Sequence, residues 1–244
     1  MTPSEWVDSY EASALRIVDL TSANLNEPVP CCPGWTGRDL LRHVGMAPAV
    51  WGAITDTSPG GGFPKLDWEQ LNAAVPVDDE ALATWARAET SRYADRLRQR
   101  DPDSWAYNIG SNTTAWMWMR RAAAEMAVHL WDAESITGNQ REVPTDLAAD
   151  GLEELTEMIA NYQARTTSPL PAPVTVVATD SDGAWTFGSP AASTDAALVA
   201  GSAGALVLRL WGRPTTGLSG AIEILDEWAG LPFAAPPPRQ DSPA

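Results

Sequence analysis

The sequence has few basic residues and no long apolar run. Its 16 lysines and arginines face 32 aspartates and glutamates, which gives a net charge of −16. Non-specific binding to nucleic acid or to an anionic membrane needs a cationic surface, so this charge balance argues against both kinds of partner. No stretch reaches the roughly 20 apolar residues that span a bilayer, and the first residues lack the basic and apolar regions of a signal peptide. A soluble cytoplasmic protein is therefore expected.

Cysteine is also scarce, and the only two copies are neighbours, Cys31 and Cys32. Adjacent cysteines do not form an ordinary structural disulfide, because that bond needs a larger separation of the two Cα atoms. The expected role of both is that of small buried side chains in reducing surroundings. With 244 residues, the chain buries a core without disulfide or metal staples.

Helical periodicity predicts a four-helix bundle in the first part of the chain. Capping boxes mark the start of its first two helices, formed by Thr2 with Glu5 and by Thr36 with Asp39. A long loop is expected at 57–78, where three glycines lack the Gly-Lys-Ser/Thr continuation of a phosphate-binding loop. The four predicted helices cover about residues 3–22, 37–55, 78–100 and 114–137.

The pattern changes after the bundle. A helix at about 146–165 leads into the connector TTSPLPAP, and the segments PVTVVATD, AWTFGS and DAALVAG then indicate three short strands. SAGALVLRLWGR indicates a short helix, and AIEILDEW is interpreted as a last strand. The predicted fold class is α+β. The predicted domains are a helical bundle over 1–145, a small α+β domain over 146–235 and a disordered tail over 236–244.

The chain has only two histidines, and both lie on predicted inward faces. His43 shares the apolar stripe of the second helix, while Glu125 and His129 lie one turn apart on the fourth. If these helices are neighbours, the three side chains converge as two imidazoles and one carboxylate. That is a known ligand set for catalytic zinc, with a fourth position open. Without a metal, the same residues would form a buried hydrogen-bonded cluster, and spacing alone leaves both interpretations open.

Three segments carry a family resemblance. CCPGWTGRDLLRHVG and RRAAAEMAVHLWDAE resemble the DinB-like metal-binding bundle of the mycothiol-dependent maleylpyruvate isomerase family. DAALVAGSAGALVLRLWGR resembles that family's C-terminal domain, and the blocks occur in the family's order from about residue 5 to 230. The resemblance implies that a divalent metal, zinc by preference, is bound by His43, Glu125 and His129. It also implies that Arg213, which ends the L-W-G-R motif, reaches the bundle's active site from the second domain.

The implied function is that of a zinc-dependent enzyme that uses mycothiol, a low-molecular-weight thiol. A thiol on the open zinc position is held as a thiolate, which would add to a small electrophile as a cis–trans isomerase or as an S-transferase. Arg213 would clamp a carboxylate or polarise a carbonyl of the substrate, unless it only satisfies the carbonyls of a helix end. Several family members have a basic residue after the second histidine, where this chain has Leu130, so the substrate's charge is left open.

Two other functions remain open from the sequence. One is a metal hydrolase that uses zinc-bound hydroxide, and the other is a non-catalytic, metal-binding regulatory protein.

Side chains around the three candidate ligands also allow two interpretations. Arg121 either supports Glu125 or is a solvated charge. Asp132 either orients an imidazole or is an exposed polar residue, and Glu134 is expected to be exposed. Three tryptophans are expected to wall a substrate pocket or to fill the core: Trp35, Trp51 and Trp118.

Overall fold

The structure is a computed structural model, and it describes residues 1–59, 63–107, 114–165, 170–188 and 196–231, without the side chains of 159–165. The predicted disordered tail over 236–244 lies outside the described residues, as do the three consecutive glycines of the loop after the second helix. In the described part of the chain, no helix has both the length and the apolar character needed to cross a bilayer.

The fold class is α+β, as predicted, with helices first and a small sheet after them. The structure also contains α3, a six-residue helix within the predicted loop over 57–78. The helices are α1 (Pro3–Ser22), α2 (Gly37–Thr55), α3 (Trp68–Ala73), α4 (Asp79–Gln99), α5 (Trp116–Ser135), α6 (Thr145–Arg165), α7 (Ala203–Leu210) and α8 (Ile224–Ala229). The strands are β1 (Val174–Ala178), β2 (Ala184–Phe187), β3 (Ala197–Gly201) and β4 (Ser219–Gly220).

The helices α1, α2, α4 and α5 form the predicted bundle. Both predicted capping boxes are present, Thr2 with Glu5 at α1 and Thr36 with Asp39 at α2. Each satisfies backbone N–H groups that the first helical turn leaves without partners. Helix α1 packs against α2, α4 and α5, and α2 also contacts α5, so the helices that carry the candidate ligands are neighbours.

The four strands after α6 form a small mixed sheet, which α6 and α7 contact. The strand order is β2-β1-β3-β4, with β1 parallel to β3 and the other two pairs antiparallel. Inward-facing side chains alternate along β1, where Val174 and Val176 are fully buried. Helix α6 contacts both α5 and α7, which joins the sheet region to the bundle.

The predicted last strand, AIEILDEW, is wrong. The structure has only the two-residue strand β4 before it, and then the helix α8. Leu225 and Trp228, three residues apart, are fully buried, whereas Asp226 and Glu227 between them are exposed. Spacings of three and four place residues on one face of a helix, and that periodicity overrides the β-branched content of the segment.

Candidate metal centre

His43 reaches the bundle interior from the middle of α2. The Trp35 ring lies 5.3 Å from the His43 ring between centroids, and it stacks on the His129 ring at 6.5 Å with an angle of 16° between the planes. Trp35 is itself buried, just before the capping box of α2. The indole thus covers one side of the histidine pair and holds both imidazoles against the bundle.

Glu125 and His129 meet His43 from consecutive turns of α5. The Glu125 Oε1 atom lies 3.5 Å from His43 Nε2 and 3.9 Å from His129 Nε2. The rings of His43 and His129 approach edge to face at 4.7 Å between centroids. One ligand atom from each of the three residues lies within 4.8 Å of the other two, so the structure brings together the trio that helix spacing and family resemblance both predict.

The donor set fits a divalent metal. Ligands about 2.0–2.2 Å from a tetrahedral zinc lie roughly 3.3–3.6 Å from one another, close to the separations around Glu125 Oε1. In the described part of the chain, His43 Nε2 is buried and has no hydrogen-bond partner. A buried polar nitrogen without a partner is costly, and a metal ion would satisfy it where the alternative hydrogen-bonded cluster does not.

Asp132 fixes the orientation of His129. Its Oδ2 atom lies 3.0 Å from His129 Nδ1, so the imidazole donates its Nδ1 proton to the carboxylate and keeps the Nε2 lone pair for a ligand. Burial raises the pKa of the Asp132 carboxyl, but hydrogen bonds from His129 and Arg213 outweigh that effect and hold the pKa well below its usual range. Burial of His129 lowers its imidazole pKa, which favours the neutral form that binds metals.

Arg213 reaches the bundle because of the way α7 ends. Gly212 has a positive φ of 74°, and its N–H donates to the Arg209 carbonyl while the Arg213 N–H donates to the Leu208 carbonyl. This is the Schellman pattern, in which glycine adopts the left-handed conformation that other residues avoid. The turn explains the W-G-R part of the motif, since it redirects the chain from α7 toward α5.

The guanidinium of Arg213 binds Asp132 with both arms. Its Nε donates to Asp132 Oδ1 at 3.0 Å and its Nη2 to Oδ2 at 2.6 Å, while Nη1 donates to the Trp211 carbonyl at 2.6 Å. The side chain is buried, and Cys32 donates its thiol proton to the same Asp132 carboxylate at 3.3 Å. Arg213 thus lies one residue removed from the candidate ligands, and a contact between it and a substrate stays a prediction.

Arg121 supports Glu125 through the second carboxylate oxygen. Its Nη2 lies 2.9 Å from Glu125 Oε2, its Nη1 lies 3.6 Å from Glu154 Oε1 on α6, and its guanidinium stacks 4.8 Å above the Trp211 ring. Burial raises the pKa of Glu125, but Arg121 and the two imidazoles lower it to about 2. The carboxylate is therefore ionised at neutral pH and ready to bind a cation.

Sequence reasoning missed Glu154 and Trp211. Glu154 is buried, and burial raises its pKa above the usual range despite the nearby arginines. The available signal was its position, three residues after Gly151 and four before Met158, on the apolar side of α6. A charged residue on a buried helix face needs a partner, which here is Arg121.

The other side chains singled out from the sequence lie at varying distances from the centre. Trp51 packs against Tyr10 and Tyr93 in the bundle core, and Trp118 donates its indole N–H to the Tyr107 carbonyl at 2.6 Å. Glu134 pairs with Arg141 and Leu130 lines a separate groove of about 270 Å³ beside α1. Cys32 is buried as expected and Cys31 is half-buried, and both are free.

Comparison with known proteins covers both parts of the chain. The sequence model of the mycothiol maleylpyruvate isomerase N-terminal domain matches residues 7–134, and that of the MDMPI C-terminal domain matches residues 146–232. A crystal structure of mycothiol-dependent maleylpyruvate isomerase is similar, with a TM-score of 0.67, 15% identity, and coverage of 91% of this chain and 93% of that one. A histidine-to-alanine mutant of such an isomerase gives a TM-score of 0.66, 16% identity and the same coverage. No curated protein sequence matches.

Proposed function

This chain belongs to the mycothiol maleylpyruvate isomerase family, and we propose that it is a metal-dependent enzyme that adds a low-molecular-weight thiol, mycothiol, to a small electrophile. The observation that carries the proposal is the convergence of His43, Glu125 and His129, in which the buried His43 Nε2 atom makes no hydrogen bond among the described residues. Three protein ligands that leave a position open are typical of catalytic rather than structural zinc sites.

Some residues of the site would bind the metal, and others orient the residues that bind it. His43, Glu125 and His129 would hold the metal, and zinc suits two nitrogens and one oxygen. A zinc ion there would hold the thiol as a thiolate, the nucleophile that an isomerase and an S-transferase share. Asp132 keeps the proton of His129 on Nδ1, and Arg121 holds the second oxygen of Glu125, so both ligands keep one orientation.

The first experiment is elemental analysis of untagged protein, with His43→Ala compared with Arg42→Gln. Arg42 precedes His43 on α2 and bonds Asn72 at 2.9 Å, away from the trio. We expect about one zinc per chain in the wild type and in Arg42→Gln, and none in His43→Ala. Because His43 Nε2 makes no hydrogen bond among the described residues, and its approach to Glu125 Oε1 is a long 3.5 Å, the metal-free His43→Ala protein should fold as the wild type does.

Activity assays then separate the remaining functions. A cis-configured, electron-poor alkene such as maleylpyruvate should be isomerised, or a thiol adduct should accumulate, only when mycothiol is added. Turnover without any thiol would point to hydroxide chemistry and overturn the thiol role. A wild type that binds zinc yet turns over none of these substrates would favour a non-catalytic metal-binding protein, and a wild type without metal would overturn the proposal altogether.

A further inference from the structure

Two networks of buried charged side chains connect the candidate ligands on α5 to the C-terminal unit, defined here as α6 to α8 with the sheet. The first network starts at His129, continues through Asp132 on the same helix and ends at Arg213, 81 residues further along the sequence. Asp132 has no exposed surface and Arg213 is 2% exposed. Because neither charged group is solvated by water, the position of the carboxylate depends on the guanidinium.

The second network starts at Glu125 and continues through Arg121 to Glu154 on α6. Glu154 is 3% exposed, and its ion pair with Arg121 spans 3.6 Å. Trp211, the residue that caps α7, covers the face of the same guanidinium. Arg121 is therefore held by two elements of the C-terminal unit on one side, while it holds a candidate ligand on the other.

The two networks have the same arrangement. Each begins at a different ligand, continues through one charged residue of α5, and ends on a side chain of the C-terminal unit. The third candidate ligand, His43, comes from α2. Each ligand of α5 is thus contacted by a residue of the same helix, Asp132 or Arg121, that also pairs with a side chain of the C-terminal unit.

We propose that the C-terminal unit sets the geometry and the affinity of the metal centre without supplying a ligand, with Arg213 and Glu154 as its positioning residues. The inference rests on the metal binding in the proposed function. A ligand that binds a site strengthens whatever holds that site in place, and the effect is reciprocal. Metal binding should therefore stabilise the packing of the C-terminal unit on the bundle, and loss of either positioning residue should weaken metal binding.

The test is the Zn²⁺ dissociation constant, measured by competition with a chromophoric chelator, in two variants with matched controls. Glu154→Gln keeps the shape of the side chain and removes its charge, and Glu153→Gln is its control, because Glu153 is exposed on the same helix and accepts a hydrogen bond from the Trp185 indole at 3.0 Å. Arg213→Gln removes the two-armed contact, and Arg209→Gln on α7 is its control, because Arg209 pairs with the exposed Asp226.

We expect Zn²⁺ binding to weaken by about 10 to 100-fold in Glu154→Gln and in Arg213→Gln, the range typical for residues that orient metal ligands. The controls should stay within about threefold of the wild type. In the Co²⁺-loaded protein, the visible absorption bands should shift in both test variants and not in the controls. Arg213→Lys keeps the charge but loses the fork, so its affinity should fall between those of the wild type and Arg213→Gln.

Unchanged Zn²⁺ affinity and unchanged Co²⁺ bands in a folded Glu154→Gln and a folded Arg213→Gln would overturn the inference. If Arg213→Gln does not fold, Glu154→Gln and Arg213→Lys decide by the same two readouts. A wild type that binds no Zn²⁺ is a different outcome, because it refutes the proposed function itself. Equal binding by wild type and variants refutes only the role of the C-terminal unit.

Discussion

The arginine–carboxylate pairs on the outer face of α4 and those around α5 lie in two different settings. On α4, Arg87 pairs with Asp19 at 2.6 Å, and both side chains are about half exposed. Arg98 contacts Asp8 at 2.8 Å and Glu11 at 2.7 Å, again at the surface. The pairs around α5 have similar distances but are largely buried, with exposed side-chain fractions of 3% and 0% in Arg213–Asp132 and 19% and 12% in Arg121–Glu125. Equal geometry therefore accompanies very different surroundings.

The difference in burial predicts a difference in what each pair does. Exposed pairs contribute roughly 0–1 kcal/mol, because water solvates each partner nearly as well as the other partner does. A buried pair has lost that water, so it adds little net stability when complete, and removal of one partner leaves a costly unpaired charge. Loss of one partner of a buried pair should thus displace the neighbouring side chains and destabilise the fold, whereas loss of one partner of an exposed pair should do neither.

The largest expected effect comes from Asp132→Asn. The variant keeps the size of the side chain but leaves the buried Arg213 cation without a counter-charge, so the free energy of unfolding should fall by about 3–5 kcal/mol. Urea denaturation of the metal-free protein measures it. A loss below about 1 kcal/mol would place this pair with the exposed ones.

A double variant provides the control. Asp132→Leu with Arg213→Met removes both charges at once and leaves apolar side chains of similar length. Its loss of stability should be smaller than that of Asp132→Asn alone, because no buried charge stays unpaired. A double variant that is less stable than the single one would mean that hydrogen bonding to Cys32 and His129, rather than charge pairing, accounts for the effect.

The two settings also differ in how far the sequence predicts them. The trio of candidate ligands follows from helical spacing, since Glu125 and His129 lie one turn apart and His43 shares an apolar stripe. The supports do not follow, because Glu154 and Arg213 are 33 and 81 residues from the residues they hold. Such pairings depend on how α6 packs on α5 and α7 packs on α6, which no local pattern encodes.

The fold shows the same limit. Capping boxes place the starts of α1 and α2 because the interacting side chains are three residues apart. The segment of α8 has both β-branched residues and a helical spacing of apolar ones, and only the tertiary contacts of Leu225 and Trp228 decide between them.

A smaller effect is expected from acid. The pKa of Glu125 in the folded, metal-free protein is about 2, below its usual value of 4.5. A folded-state pKa below the unfolded value means that the carboxylate contributes stability above about pH 4.5, and that this contribution disappears as the pH falls toward 2. Between pH 4.5 and 3, the free energy of unfolding should fall by about 1–2 kcal/mol more in the wild type than in Glu125→Gln. Parallel pH profiles of the two metal-free proteins, followed by urea denaturation, would contradict this.

The smallest effect is expected at the surface, from Arg98→Gln. The substitution breaks contacts with both Asp8 and Glu11, yet the freed carboxylates stay in water. The free energy of unfolding should therefore change by less than about 1 kcal/mol, and the difference from the wild type should shrink further at about 0.5 M NaCl, where exposed charges are screened. Zn²⁺ affinity should be unchanged, because none of the contacts that Arg98 makes with other described residues leads to a candidate ligand. A loss comparable to that of Asp132→Asn would show that burial does not separate the two kinds of pair, and that the number of contacts per arginine is the better guide.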